Sequence, residues 1–231
     1  MALSSYKVKF VRRGWIMPKR YSLSEFESKR LLRSYGIKVT REAVIHSVDE
    51  AIEQSEILGY PVVLKISSAN VAHKTELNGV RLNLDNELSV RNAVADLNKS
   101  VDGQTSLLIS EQIKSSREFI AGVTRSDEYG LVLAFGVGGI FAEIVKDVVF
   151  RLLPASREEI RSMFDELLHK QLFGEVRGEP EINMDKLVET LEALGECAMD
   201  RSDIFSIDVN PLLIDDGVPV AVDALVELYE S

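Results

Sequence analysis

The sequence predicts an α+β protein of two lobes, and three observations carry that expectation. From residue 37 to 113 short β-branched runs alternate with helical segments, in the order strand, helix, strand, loop, strand, helix, strand. The half that follows is richer in strands, with two helices gathered near its end. At 231 residues and 45% hydrophobic, the chain is long enough to bury a core in each lobe. The expected division is an extension over 1–20, a first lobe over 21–113 and a second over 114–231.

Residues 1–20 mix basic and aromatic residues without periodicity and end near Pro18. From Ser22 a helix is expected to begin: Ser24 can cap it, Phe26, Leu31, Leu32 and Tyr35 form an apolar face, and Gly36 stops it. Ile37 to Ile45 alternates as a strand, and a helix opens at Asp49 and runs to Leu58 before Gly59. Pro61 to Ile66 reads as a strand with a lysine, Lys65, set inside it; Val80 to Leu84 reads as the next. Residues 66–80 between them form a flap carrying His73 and Lys74. A helix over 87–97 and a strand over 106–113 complete the lobe.

In the second half, 118–124, 131–135, 141–145 and 148–153 read as strands, with Gly136-Val137-Gly138-Gly139 breaking the middle pair. Helices are expected over 157–172 and 184–199, and a hairpin over 204–214 and 218–226 closes the chain. Asp216-Gly217 suits a two-residue type I′ turn. That turn sets a register in which Asn210 faces Asp223, with Asp208 two residues away on the same face. Two carboxylates and an amide carbonyl are the hard oxygen donors Mg²⁺ prefers. A three-residue loop would instead turn Asp223 to the opposite face.

Composition narrows the function classes. Lys and Arg total 27 against 37 Asp and Glu, a net charge of −10, which argues against general affinity for nucleic acid or anionic membrane. Cys197 is alone, which excludes a disulfide framework or a cysteine-based zinc cluster. No apolar run has the length of a signal peptide core or a membrane span, so a cytoplasmic location is expected.

Several residues have the chemistry of a phosphate site. Lysine is a mobile point charge with three donors. A neutral imidazole such as His73 is nucleophilic near pH 7 and can accept a phosphoryl group. His46 and His169 read as structural. Glu111 and Glu118 flank a connection between the lobes, a place where backbone groups can read a purine edge. The glycine run either cradles a phosphate through its N–H groups or simply makes a tight turn; the flap, taken alone, also fits a solvated hairpin loop.

Together, Pro61-Val-Val-Leu-Lys65, His73-Lys-Thr-Glu, Glu111, Arg117-Glu118-Phe119, Gly136-Val-Gly-Gly-Ile-Phe-Ala-Glu143, Asp208-Val-Asn-Pro211 and Asp223-Ala224 resemble the ATP-grasp family. The likeness, over about residues 21–228, is nearest to beta subunits of ADP-forming acetyl-CoA synthetases (acetate–CoA ligases), relatives of the succinyl-CoA synthetase beta subunit. It implies ADP or ATP clamped between two α+β lobes, with Lys65 and Lys74 toward phosphate, Glu111 and the backbone at Ile113 toward adenine, and Glu118 toward ribose. Asn210 and Asp223 match the family's Mg²⁺ positions, Asp208 is a second candidate ligand, and Gly138, Gly139 and Glu143 are neighbours of phosphate or metal. His73 matches the histidine that relays a phosphoryl group from an alpha-subunit phosphohistidine to ADP. Asn78-Gly79 departs from the Gly-Gly frequent in relatives. The resemblance further implies a CoA-binding alpha subunit as obligate partner, in an assembly of two alpha and two beta chains. Two other readings stand beside it: a stand-alone carboxylate ligase that forms an acyl phosphate from ATP, and a non-catalytic nucleotide sensor.

Overall fold

The structure is a computed structural model in which residues 19–67, 79–99, 106–139 and 146–230 are described. Contacts divide the chain into two units. One comprises Ser24–Glu27 and Thr40–Lys114; the other comprises the residues up to Leu23, Ser28–Val39 and everything from Ser115 onward. The expected strand at 141–145 lies outside the described residues.

The 40–114 unit is built on an antiparallel sheet of β2 (Glu42–Ile45), β3 (Val62–Ser67), β4 (Val80–Leu84) and β5 (Ser106–Glu111), in the order β2-β5-β3-β4. Helices α2 (Val48–Leu58) and α3 (Glu87–Leu97) share one core with it. α2 is capped by Ser47, which accepts from the Glu50 N–H, and so begins at Val48, one residue earlier than the expected Asp49 start. α3 opens with a capping box in which Asn86 and Ser89 satisfy each other's backbone. Alternation along β3 sends Val62, Leu64 and Ile66 into this core and Val63 and Lys65 to the opposite face, yet every β3 residue is buried. Lys65 is therefore a cation on a buried face.

Among the described residues, the larger unit carries a seven-stranded sheet. β1 (Arg20–Ser22), β11 (Ala224–Tyr229), β9 (Ile204–Asp215), β6 (Glu118–Ser126), β7 (Gly130–Val137) and β8 (Val148–Leu152) lie side by side in that order, and β10 (Val218–Ala221) also pairs with β9. α4 (Arg157–Glu166) and α5 (Met184–Asp200) share its core. Stacked Phe119 and Phe135, with centroids 5.3 Å apart, meet Phe164 and Phe173 there.

Several segments differ from expectation, three of them markedly. The strand foreseen over 37–45 begins only at Glu42, because Val39 instead forms a bridge with Ala221 and joins the core of the larger unit. The helix foreseen over 157–172 ends at Glu166, because the Asp147 carboxylate accepts the N–H groups of Leu168 and His169 (both 2.9 Å) and diverts the chain into a 3-10 turn at Lys170–Phe173. The third is α1 (Glu25–Ser34), whose expected apolar face is not its buried stripe. Glu25, Ser28, Lys29 and Leu32 are the fully buried positions, three of them polar, while Phe26 and Leu31 are only partly covered. In addition, Arg20–Ser22, where the expected extension ends and the expected helix begins, pairs with β11.

Candidate functional site

The closing hairpin has the register its turn chemistry predicts. Asp216 (φ 47°) and Gly217 (φ 77°) are both left-handed, as a type I′ turn requires, and Asp215 faces Val218 across it. The same register runs on to Ala224 opposite Val209 and Leu225 opposite Asp208. At its centre the Asn210 N–H donates to the Asp223 carbonyl (3.2 Å) and the Val222 N–H to the Pro211 carbonyl (3.1 Å). Asn210 and Asp223 thus stand opposite one another.

This rung is irregular on every side. β10 ends at Ala221 and β11 begins at Ala224, leaving Val222 and Asp223 between them. Against β6, β9 carries an extra residue, since Phe119 pairs with Leu212 but Ala121 with Val209. The consequence for the side chains is a change of face: Ile207 and Val209 enter the core below the bulge, Leu212 and Ile214 above it. Asp208 and Asn210, alternating with Ile207 and Val209, lie on the face away from that core and are half-buried, as is Asp223.

Among the described residues no group of three or more His, Cys, Asp and Glu has the geometry to hold a metal. The candidate set is of another kind, two carboxylates and an amide, and its donor chemistry fits Mg²⁺, whose shell water and nucleotide oxygens customarily complete.

Glu118 and the glycine turn come together at the start of β6. The Gly138 N–H donates to the Glu118 carbonyl (2.7 Å), and a Cβ at Gly138 would lie 3.1 Å from the Glu118 and Phe119 backbone. Gly139 has φ +84°, and a Cβ there would stand 3.6 Å from the Glu118 carboxylate. Glycine is required in this turn for close approach and for its left-handed backbone.

Beneath Glu118 lies a knot that sequence reasoning missed. Arg117, with a side chain only 1% exposed, donates to the carbonyls of Gly174 (3.1 Å) and Pro180 (2.7 Å) and to Glu179 (3.2 Å). Glu179 also accepts from the Ser116 N–H (2.6 Å) and the Ser115 hydroxyl (3.0 Å). Burial pushes the Glu179 carboxyl up, but the donors at Ser116, Ser115 and Arg117 outweigh it and hold it below its ordinary value.

In the 40–114 unit, Lys65 forms an ion pair with Glu25 at 2.7 Å, their side chains 6% and 1% exposed. Glu111 is engaged by Arg41: its carboxylate accepts the Arg41 N–H (2.8 Å) and Nε (2.7 Å), while its own N–H donates to the Arg41 carbonyl (3.0 Å). Ile113 follows two residues after the end of β5. His73, Lys74 and Glu143 lie outside the described residues.

The residues missed by sequence reasoning share one property: each finds its partner far along the chain. Glu25 reads in sequence as a first-turn acid favoured by the helix dipole. The recoverable signal was spacing, since Glu25, Lys29 and Leu32 recur at helical intervals around a stripe that the apolar residues alone do not fill.

Comparisons with known proteins bear on this arrangement. A model of the ATP-grasp domain matches residues 15–228. The beta subunit of acetate–CoA ligase [ADP-forming] I from Pyrococcus furiosus is 35% identical over 208 residues, covering 87% of this chain and 90% of that subunit. Among solved structures, the dinucleotide-forming acetyl-coenzyme A synthetase 1 of Ca. Korarchaeum cryptofilum in complex with coenzyme A, Ca-AMPCP and HgCl+ is 33% identical. The likeness covers 90% of this chain and 93% of that one with a TM-score of 0.84. A second structure of that enzyme, with coenzyme A and Mg-AMPPCP, has its phosphohistidine segment pointing towards the nucleotide binding site; it matches at 33% identity and a TM-score of 0.79.

Proposed function

The chain belongs to the ATP-grasp family and has its mixed α+β fold, and from that premise we propose that it is the nucleotide-binding beta subunit of an ADP-forming acyl-CoA synthetase. The observation that carries this reading is the 35% identity that spans 90% of a separate beta subunit. In the proposed reaction a CoA-binding alpha subunit converts acyl-CoA and phosphate to the acid, CoA and a phosphohistidine. The P–N bond to that histidine breaks as one to His73 forms; the His73 P–N bond then breaks as an ADP β-phosphate oxygen bonds to phosphorus, giving ATP. All steps are reversible.

The roles proposed for this chain's residues are those that the family resemblance implies. Lys65 and Lys74 neutralise phosphate charge, Glu111 and the Ile113 backbone contact adenine, and Glu118 takes ribose hydroxyls beside the Gly138-Gly139 turn. Asp208, Asn210 and Asp223 hold Mg²⁺, which when bound screens the charge of the phosphate oxygens. The proposed assembly has two alpha and two beta chains, and the proposed location is cytoplasmic; no described helix is long and apolar enough to cross a membrane.

The test is a labelling experiment. The chain is incubated with the alpha subunit, acetyl-CoA and labelled phosphate, without ADP, and examined for acid-labile, base-stable label. Label on the wild type that disappears in His73→Gln, with ADP binding retained, is the expected result. Absence of label on the wild type removes the relay. Turnover of ATP and acetate by the chain alone would point instead to a stand-alone ligase.

A further inference from the structure

The break between β10 and β11 is held from outside the sheet by residues that no role above uses. The Lys29 ammonium, fully buried on α1, donates to the Val222 carbonyl at 3.1 Å. One helical residue earlier, the buried Ser28 hydroxyl accepts the Val226 N–H at 3.1 Å. The Ala221 N–H donates to the Lys38 carbonyl (2.9 Å), and the Leu23 N–H to the Val226 carbonyl (2.9 Å). Residues 221–226 are thus tethered at four points by α1 and its flanks, and Asp223 sits in the middle of the tethered stretch.

Burying the Lys29 ammonium carries a cost that its contacts, the Val222 carbonyl among them, must offset. Removing an ammonium from water is far more costly than leaving a neutral donor there. The side chain that a purely structural helix would place at this position is apolar, like Leu32 one turn on. What distinguishes the Val222 carbonyl is its neighbour, since the peptide it terminates carries Asp223. The stretch that carries Asp223 is held on one side by β9, through Asn210 and Pro211, and on the other by Lys29 at Val222 and Ser28 at Val226.

We propose that Lys29 and Ser28 are positioning residues for the metal ion: by clamping Val222 and Val226 they fix the backbone on either side of Asp223, and so set its carboxylate opposite Asn210. This rests on the assignment of Asp223 as a Mg²⁺ ligand. Outer residues that orient metal ligands typically contribute 10- to 100-fold to metal affinity. The two residues act on the metal and leave the metal-free affinity for nucleotide unchanged.

The full chain is titrated with Mn²⁺ in the presence of ADP, following free Mn²⁺ by electron paramagnetic resonance, and ADP binding is measured separately in EDTA. Ser28→Ala and Lys29→Met are each expected to raise the half-saturating Mn²⁺ concentration roughly tenfold or more, with ADP affinity in EDTA unaltered. Lys29→Arg, which keeps a buried cationic donor, restores part of the loss. Should Lys29→Met fail to fold, Ser28→Ala, which removes only a hydroxyl, decides the matter. A titration of folded Ser28→Ala that superimposes on wild type overturns the proposal, as does an equal loss of ADP affinity with and without metal. Asp223→Asn is the control: if it leaves the Mn²⁺ titration unchanged, the metal assignment itself is wrong, and the clamp falls with it for a separately identified reason.

Discussion

Replacing Glu25 by Gln removes the charge opposite Lys65 while keeping an oxygen that can accept from the ammonium. At 2.7 Å the gross attraction of the pair is about 6 kcal/mol for an effective dielectric constant of about 20. Desolvation offsets part of that, but it has already been incurred by Lys65, whose side chain stays buried in the variant. Breaking such a pair from one side typically costs 3–5 kcal/mol; the retained acceptor places Glu25→Gln at the lower end, about 3 kcal/mol. The 40–114 unit must bear the cost, because Glu25 and Lys65 both belong to it. Hydrogen exchange of the β3 and β5 amides reports opening of that unit directly, and 3 kcal/mol corresponds to roughly 100-fold faster exchange. In the double variant Glu25→Gln/Lys65→Met neither charge remains to be stranded, so it should lose at least about 2 kcal/mol less than the sum of its single variants. Wild-type exchange rates in Glu25→Gln, or strict additivity in the double variant, would refute the account.

Three further outcomes are expected. Gly136→Ala would place a Cβ 2.5 Å from the Asp147 carbonyl and 2.9 Å from the Val148 Cα, both backbone atoms; the β7–β8 pairing must shift, at about 1–3 kcal/mol, and a thermal melt indistinguishable from wild type would contradict it. Burial pushes the Asp147 carboxyl up, but the Leu168 and His169 N–H groups and the His169 ring outweigh it and hold it below 3.8. A depressed folded-state value means that its stabilisation is present above the unfolded value of about 3.9 and is lost as pH falls through the lower folded one. Asp147→Asn should therefore be less stable than wild type at pH 7, with the gap in urea midpoint narrowing only below about pH 4; a constant gap down to pH 2 would exclude this linkage. Cys197 is buried with its thiol pushed up to about 11 by that burial; it should resist a disulfide reagent at pH 8 in the native chain and react at once in denaturant, and rapid native labelling would contradict its placement.

What sequence reasoning recovered here, and what it lost, divides by the range of the forces involved. α3 has the bounds expected from the sequence, and the hairpin register from Asp215 to Glu227 follows from the two turn residues Asp216 and Gly217, because turn chemistry acts over four residues and propagates through ladder bonds. The opposition of Asn210 and Asp223 was legible for the same reason. The bulge at Asn210–Pro211 was not, since it depends on β6, ninety residues away in sequence at the Ile120 position. The stripe of α1 was misread because hydrophobic periodicity scores only apolar side chains, whereas this helix buries a carboxylate, a hydroxyl and an ammonium, each satisfied by a partner that local pattern does not reveal. Glu25 pairs with Lys65, 40 residues on, and Lys29 with Val222, 193 residues on. A buried polar residue is tolerable only where such a partner exists, so a polar interruption of a helix's inward spacing is itself a pointer to long-range structure. On α1 that pointer leads to Lys65 from Glu25 and to the two sides of Asp223 from Lys29 and Ser28, residues that motif likeness had singled out on other grounds.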